Sequence, residues 1–360
     1  MLKVFQVIEC GGPGGAGNQV AALCNGLDAK RFDVGLVYAV RSGEPEDYRA
    51  LCSGAKSAIH IPEFTREISP LKDLKALWRL YRLFKAEKPD VVHAHSSKAG
   101  VLARLAAKLA GVPKIFYSPR GYGFLQQDRS APARALYRLI ERCMAFIGEI
   151  VAISPSEAAL SSGGKVHVVC DPVLGEFPAP AEGAEDGTLV GGCGRMTYAR
   201  NLDAFVVLSQ RLTDSRNGLK CVWIGGGEEE EKIRAHLQNM NMLAKVEVTG
   251  WLDAASARER MRGLDLFVHY SRWDGLPNAV LEAMALGLPV VASDLHGNRD
   301  AVVHGETGFL AKSEIELLEY SLQLIDNKAL REKFGKAGRE RVLKEFTLAK
   351  TLAGLEALYG

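Results

Sequence analysis

The sequence predicts an α/β protein of two doubly wound, Rossmann-like domains that face each other across a cleft. Short β-rich runs alternate with helical patterns along most of the chain, which is typical of parallel strands joined by crossover helices. A stretch rich in proline, glycine and acidic residues, 171–187, interrupts this alternation and is the predicted linker. The 360 residues exceed the usual size of one hydrophobic core, which also favours two domains.

Each domain is predicted to hold one parallel sheet that binds ligands at the carboxyl ends of its strands. The first, 1–170, has the predicted strands KVFQVI, FDVGLVYAV, DVVHA, KIFYS, IVAIS and KVHVV. The second, 188–345, has the predicted strands TLVGGCG, LKCVWIGGG, KVEVTGW, LDLFVHYS and PVVASD. From Ser313 onward the pattern is mostly helical, and the last helix, 346–360, is expected to cross back to the first domain.

The composition limits the class of protein. Hydrophobic residues make up 47% and charged residues 24%, as in soluble globular proteins. The first residues do not resemble a signal peptide, and no apolar stretch approaches the roughly 20 residues that span a bilayer. The seven cysteines are scattered without a C-x-x-C pair, so we expect reduced thiols instead of disulfides or a zinc site. A cytoplasmic protein is expected.

Charge is unevenly distributed along the chain. The net charge is +2, yet residues 1–180 carry +6 and residues 181–360 carry −4. Much of the excess lies in 70–88, where basic residues alternate with leucine, tryptophan and tyrosine at helical spacing. This basic amphipathic helix is typical of a solvated outer face. It is also typical of a surface that contacts anionic lipid headgroups, so a peripheral contact with the inner face of the cytoplasmic membrane is the second interpretation.

A glycine-rich turn, 11–20, follows the first predicted strand and reads G-x-G-x-x-G from Gly12. This is the order of a dinucleotide-binding fingerprint. NAD recognition usually needs an acidic residue at the end of the second strand, where this chain has Arg41 and Ser42. An arginine there suits the 2′-phosphate of NADP. A turn that packs a helix closely on a strand is the structural alternative.

The stretch SRWDGLPNAVLEAMALGLPVVASD, 271–294, is the most informative part of the second domain. A helix is predicted to start at Pro277, and the free amides of its first turn form an anion site. Glu282 lies one turn beyond Asn278 on the same face, where it suits the ribose hydroxyls of a nucleotide. Asp274, in the preceding loop, would reach a sugar. An isolated glutamate on a helix is otherwise most often solvated.

Asp274, Gly275, Pro277 and Glu282 resemble the E-x7-E motif of glycosyltransferase family four, a family of retaining enzymes with the GT-B fold. Asp274 stands where the family usually has glutamate. The resemblance covers nearly the whole chain and is strongest over 194–310. It implies that Asp274 and Glu282 act in catalysis and that the loop and helix start contact the donor through Gly275, Leu276, Pro277 and Asn278.

The segment GRMTYARNLDAF, 194–205, resembles the G-R-x4-K segment of the same family. The resemblance implies that Arg195 and Arg200 hold the leaving diphosphate. Two fixed cations would stabilise the negative charge that builds up there, each by ~3 kcal/mol. Arg200 replaces the usual lysine, which keeps the charge but presents a planar fork instead of a point charge.

Three further segments match the family pattern in order. WIGGGEEEEKIRAH resembles the glycine turn beside the diphosphate, with Gly225 and Gly226 as donor contacts, although its acidic run also suits a helix N-terminus. VEVTGWL resembles the strand and loop that line the base, with Trp251 as a wall or, alternatively, a core aromatic. Residues 294–310 resemble the loop that closes over the donor, or are a turn between strands.

The first domain resembles the acceptor side of the family. DVVHAHSSKAG resembles its H-x-H segment and implies that His95 contacts the transferred sugar or the acceptor, with Ser96 and Lys98 beside it. A histidine at a strand end is otherwise often structural. YSPRGYGF resembles the neighbouring loop, where Arg120 replaces a frequent histidine and could hold an acceptor phosphate. The opening glycine turn resembles the loop that lines the donor, and the implied contacts are Gly14, Gly15 and Gly17.

The sequence therefore predicts a retaining glycosyltransferase that needs no metal and no cofactor. It would move a hexosyl or N-acetylhexosaminyl unit from a nucleotide sugar, with UDP the expected nucleotide, to a growing polyprenyl-diphosphate-linked surface glycan of lipopolysaccharide or capsule type. No nucleic acid is an expected partner. The alternatives are a nucleotide-sugar epimerase of GT-B fold, an NADP-binding oxidoreductase, and a non-catalytic sensor, which would not need two arginines at a leaving group.

Overall fold

The structure is a computed structural model that describes residues 1–12, 14–40, 48–65, 68–178 and 188–360. It divides into two compact units. The first unit comprises Met1–Leu125, Arg129–Leu174 and Thr347–Gly360, and the second comprises Gln126–Asp128 and Gly175–Phe346. Residues 179–187 of the predicted linker, and the strand-end residues 41–44 that bear on NADP, lie outside the described residues.

The first unit contains a seven-stranded parallel sheet. The strands are β1 (Leu2–Gly11), β2 (Phe32–Val40), β3 (Ser57–His60), β4 (Val91–His95), β5 (Lys114–Ser118), β6 (Glu149–Ala152) and β7 (Val166–Val168). Their order in the sheet is β3-β2-β1-β4-β5-β6-β7. The central strands form because their apolar runs are buried on both faces by helices, as parallel sheets require.

In the described part of the first unit there are six helices. They are α1 (Gly15–Gly26), α2 (Pro70–Glu87), α3 (Ser97–Ala110), α4 (Ala131–Met144), α5 (Pro155–Ala159) and α13 (Leu348–Tyr359). Helix α13 is held by its Tyr359, whose hydroxyl lies 2.6 Å from Nδ1 of His93 and accepts a hydrogen bond from Nε2 of Gln6 at 3.2 Å. These contacts join the end of the chain to the sheet of its first residues.

The second unit contains a six-stranded parallel sheet. The strands are β8 (Leu189–Cys193), β9 (Lys220–Ile224), β10 (Val246–Val248), β11 (Leu266–His269), β12 (Val290–Ser293) and β13 (Gly308–Ala311). Their order is β10-β9-β8-β11-β12-β13. The helices are α6 (Leu202–Ser215), α7 (Glu230–Asn239), α8 (Ala254–Arg262), α9 (Asn278–Ala285), α10 (His296–Ala301), α11 (Glu314–Asp326) and α12 (Lys328–Glu345).

The two parallel sheets with their crossover helices confirm the predicted fold class. Two short strands, β3 and β13, were not predicted, because four residues are too few to show a clear alternation. Residues 294–310 contain α10 and the start of β13, so they form more secondary structure than a loop or a simple turn. The seven cysteines all lie among the described residues, and the structure places none of them in a disulfide.

Candidate active site

Asp274 is the centre of a charged cluster in the second unit. It lies in the loop between β11 and α9, and its Oδ2 accepts hydrogen bonds from Nη1 of Arg200 and, at 2.9 Å, from Nε2 of His269. Burial raises the pKa of this carboxyl, but the charge of Arg200 and the hydrogen bond from His269 outweigh it and bring the pKa down to about 2. Asp274 is therefore ionised at neutral pH and directly paired with a predicted diphosphate-binding cation.

Sequence reasoning missed His269, which ends strand β11. Its side chain is 1% exposed, and burial lowers the pKa of the imidazole more than the contact with Asp274 raises it. The neutral ring therefore donates its Nε2 proton to the ionised carboxylate. A polar residue at the end of a predicted strand was the available signal, but the run LDLFVHYS reads as a buried strand throughout.

Helix α9 begins just after the loop that carries Asp274. Pro277 is its N-cap with an extended ψ of 104°, and the helix starts at Asn278, one residue later than predicted. The loop is packed closely from outside, because a Cβ on Gly297 would lie 1.5 Å from the carbonyl oxygen of Gly275, and Leu276 is buried. The loop and the first turn are thus held in place by close packing.

Glu282 lies one turn into α9 and is half-buried. Burial raises its pKa to about 7, against a smaller lowering effect of Arg258. The solvated alternative is therefore wrong for this glutamate. Because this pKa is close to neutral pH, the carboxyl is partly protonated there. Hydrogen bonds from hydroxyl groups of a ligand would favour the ionised form, so that a proton is released.

Arg195 forms a second acid–base pair, with Glu228. Its Nε donates to Oε2 at 3.1 Å and its Nη2 donates to Oε1 at 2.8 Å. The guanidinium lies 5.7 Å from the ring centroid of Trp251, which is 64% exposed, so the core-aromatic interpretation of that tryptophan is wrong. The acidic run does form the predicted helix N-terminus, since α7 begins at Glu230 with Glu229 as its N-cap, while Glu228 lies just before it and pairs with Arg195.

The glycine turn after β9 packs against the loop that carries Arg195. A Cβ on Gly225 would lie 2.4 Å from the carbonyl oxygen of Gly194, and Gly225 also has a φ of 132°. A Cβ on Gly226 would lie 2.9 Å from Cδ1 of Trp251. These glycines therefore allow the turn, the arginine loop and the tryptophan to approach one another closely.

In the first unit the opening glycine turn has two different parts. Gly14, the N-cap of α1, and Gly15, its first residue, are exposed at the turn. Gly17 is buried, and a Cβ there would lie 1.9 Å from the carbonyl oxygen of Gly12. The lack of a side chain at Gly17 lets the helix pack against its own turn, and its donor contact stays a prediction.

His95, predicted to contact the sugar or acceptor, has no exposed surface. Its Nε2 lies 2.7 Å from Oε1 of Gln6, and its Nδ1 accepts from Nε of Arg120 at 3.3 Å. Burial holds the pKa of this imidazole well below its usual range, and the nearby rings and charge of His93 and Arg120 act in the same direction. Neighbours within the same unit therefore bond both ring nitrogens, and the contact of His95 with a sugar or an acceptor stays a prediction.

The other predicted acceptor residues are also bonded internally. Arg120 donates from Nη1 to Oδ2 of Asp171, and both side chains are almost fully buried. Lys98 pairs with Asp73 of α2 at 2.6 Å. In the same loop, the hydroxyl of Ser96 donates to the carboxylate of Glu9. These bonds fix the ends of the strands, and the acceptor contacts of these partly buried residues stay predictions.

The matching family models agree with this arrangement of motifs. Residues 177–341 match the model described as glycosyl transferases group 1, and residues 14–170 match the glycosyl transferase 4-like domain. Together the two matches cover most of the chain. The chain belongs to the glycosyltransferases of this family-four-like group, as the resemblance implied, and it is an enzyme of the glycosyltransferase class.

Individual relatives of the chain are also named as glycosyltransferases. The chain is 28% identical to the UDP-Gal:alpha-D-GlcNAc-diphosphoundecaprenol alpha-1,3-galactosyltransferase of Escherichia coli, over 92% of this chain and 90% of that protein. It is 27% identical to the capsular polysaccharide biosynthesis glycosyltransferase CapM of Staphylococcus aureus, over 83% and 84%. The structure of Anabaena HepE in complex with UDP and glucose has a TM-score of 0.80 at 16% identity, over 99% of each chain, which confirms the GT-B fold.

The relatives lend no support to the epimerase or the NADP oxidoreductase. In the part of the chain that the structure describes, no helix is both long and apolar enough to cross a membrane. Among those same residues, no three side chains of the metal-ligating types come together.

Proposed function

We propose that the protein transfers a hexosyl or N-acetylhexosaminyl unit, with retention, from a UDP-linked sugar to a growing polyprenyl-diphosphate-linked surface glycan. The observation that carries the proposal is the joining of Arg200 and Asp274 at the loop before α9. There the arginine predicted to bind the diphosphate and the acid predicted to bind the sugar lie in direct contact. The name of the E. coli relative, with its UDP-Gal donor and diphosphoundecaprenol acceptor, supports both substrates.

The arginines act on the leaving group. In the transfer, the bond between the anomeric carbon and the β-phosphate oxygen breaks, and the acceptor oxygen bonds to the same carbon on the same face. The acceptor proton passes to the leaving diphosphate, so no separate general base is required. In the structure Arg195 pairs with Glu228 and Arg200 pairs with Asp274. The incoming diphosphate takes over these cations, whose charge offsets what develops as the bond breaks.

The other proposed contacts with the sugar donor follow from where each residue lies in the second unit. Asp274 accepts hydrogen bonds from sugar hydroxyls, and Glu282 accepts them from the ribose. The turn at Gly225 and Gly226 borders the diphosphate, and the exposed ring of Trp251 is available to the base. The reaction needs no metal and no cofactor, because the two arginines carry the positive charge that a bound metal ion supplies in other transferases.

Two helices of the first unit support a contact with an anionic membrane. Helix α2 exposes Leu71, at 85%, together with Leu74 and Trp78, among its basic residues. Helix α4 and the turn after it expose Leu136, Leu139 and Phe146, the last at 86%. Exposed arginines, Arg138 and Arg142, lie along the same helix. Large apolar side chains flanked by basic ones are typical of helices that lie in a lipid interface.

The catalytic proposal is tested by incubating the protein with UDP-galactose, UDP-glucose, UDP-N-acetylglucosamine or GDP-mannose and a short-chain polyprenyl-diphosphate-linked sugar. We expect one UDP-sugar to give an extended, α-linked product, with undiminished rate in EDTA. A β-linked product would contradict retention. A rate abolished by EDTA and restored by Mg²⁺ would contradict metal independence, and conversion of the donor without acceptor would favour an epimerase.

The membrane proposal is tested by sedimentation with vesicles of phosphatidylglycerol or phosphatidylcholine. We expect binding to the anionic vesicles only, and weaker binding of Leu71→Glu and Leu139→Glu variants. Ile315→Glu, at an apolar residue of the second unit that is 63% exposed, is the matched control and should bind as wild type does. Equal binding to both vesicle types, or none, would refute the contact.

A further inference from the structure

Asp274 accepts hydrogen bonds from two side chains that differ in burial and in position. His269 is the last residue of β11, which pairs with β8 on one side and β12 on the other, and its backbone is in register with Ala292 of β12. Its ring is buried. Arg200, by contrast, ends a short 3₁₀ helix, Tyr198–Arg200, and its long side chain is 25% exposed. One donor is thus a buried side chain at the end of a central strand, and the other is a long, partly exposed side chain outside the sheet.

Both donors bind the same carboxylate oxygen. Nη1 of Arg200 and Nε2 of His269 donate to Oδ2 of Asp274. The second oxygen, Oδ1, is not used by either of them. A carboxylate that is fixed through one oxygen presents the other in a defined direction, which is the arrangement needed to accept a hydrogen bond from a sugar hydroxyl.

We propose that His269 is a positioning residue of the donor site, which holds Asp274 through Oδ2 so that Oδ1 meets a donor hydroxyl. The inference rests on the proposed function of this site. When Arg200 turns to the diphosphate of a bound donor, Asp274 loses that partner, and the Nε2 proton of His269 keeps the carboxylate in place. Aspartate is one methylene shorter than the glutamate usual at this position, and the histidine supplies the support that fixes the shorter acid.

The test compares substitutions at His269 that differ in reach. In His269→Gln the side-chain amide nitrogen lies the same number of bonds from Cα as Nε2 of histidine, so it can still donate to Asp274. In His269→Asn the amide is one bond short, and in His269→Leu no donor remains. Asparagine and glutamine are both neutral and polar, so they share the cost of placing an amide in a buried site and differ in contact with Asp274.

We expect His269→Asn and His269→Leu to lower kcat by roughly 10-fold to 100-fold, the effect of losing a hydrogen bond to a charged group. The Kd for UDP should stay within about 3-fold of wild type, because UDP lacks the sugar that Asp274 contacts, and His269→Gln should recover most of kcat. If the leucine variant does not fold, the asparagine and glutamine pair alone decides, with melting temperatures measured for both.

The outcomes separate the two proposals. A wild-type protein that neither binds UDP nor transfers sugar refutes the proposed function, and with it the role of His269 in a donor site. An active wild type whose asparagine variant keeps its kcat within about 3-fold refutes the inference on His269 alone. So does a glutamine variant as slow as the asparagine variant at equal melting temperature, because a purely structural histidine would not distinguish their reach.

Discussion

The two units use their charged residues in opposite ways. In the second unit, Arg195 and Arg200 pair with carboxylates at partly exposed positions, at the loops that follow strands of the sheet. In the first unit, Arg120 and His95 are almost fully enclosed and bonded to neighbours of the same unit. Both sets lie in segments that resemble the family motifs. A motif match therefore identifies the segment, and burial and partners decide whether its side chains are able to meet a substrate.

The largest effect is expected in the first unit, on stability. Arg120→Ala would leave the carboxylate of Asp171 buried without its cation, which costs roughly 3–5 kcal/mol of folding free energy. Thermal and urea unfolding measure this loss. Arg138→Ala, at an exposed arginine of the same unit, is the control and should have little effect. A variant of wild-type stability with a raised KM for acceptor would show that Arg120 binds substrate and would break the comparison.

The next effect is catalytic and belongs to the second unit. Arg195→Ala should lower kcat by about 10²-fold to 10³-fold without loss of stability, because a leaving-group cation is removed from a partly exposed pair. Steady-state rates and a melting curve check both parts. The matched control is Arg216→Ala, which removes an exposed arginine paired with Asp326. A rate within about 10-fold of wild type, ~1.4 kcal/mol, would show that Arg195 does not act on the leaving group.

Glu282 gives a smaller, pH-dependent effect. Its pKa of about 7 lies above the ordinary value of 4.5, so the folded state bears the cost of the buried charge only as the pH rises. Glu282→Gln should therefore match wild type near pH 4.5 and gain on the order of 1–3 kcal/mol in relative stability by pH 8, with the change falling between these values. Melting temperatures across this range test the sign. A difference that does not vary with pH would contradict the raised pKa.

The smallest effect concerns Glu228, which shares Arg195 with the diphosphate. Glu228→Gln removes an exposed competitor, and the Kd for UDP should fall by about 2-fold to 5-fold, the range of exposed ion pairs. Glu231→Gln, which removes a nearby exposed acid of helix α7, should leave it unchanged. Calorimetric titration at low ionic strength resolves the two. Weaker binding by the Glu228 variant would mean that this acid positions Arg195 and does not compete for it.

The fold could be predicted from the sequence because buried parallel strands read as apolar runs, from KVFQVI to PVVASD. The pairing of site residues could not. Arg200 and Asp274 are 74 residues apart and Arg195 and Glu228 are 33 apart, so their contacts depend on how separate loops pack. His95 also shows what the sequence alone does not predict. Its place at a strand end was predictable, but the side chains of Gln6 and Arg120 that enclose it were not.

The central claim is that the arginines of the second unit bind the diphosphate of a UDP-sugar. It is tested most directly by calorimetric titration of the wild-type protein and of Arg195→Ala and Arg200→Ala with UDP, and of the wild type with NADPH. We predict that wild type binds UDP, that each variant binds it at least about 10-fold more weakly, and that NADPH gives no heat. Binding of NADPH without UDP, or undiminished UDP binding by both variants, would contradict the claim.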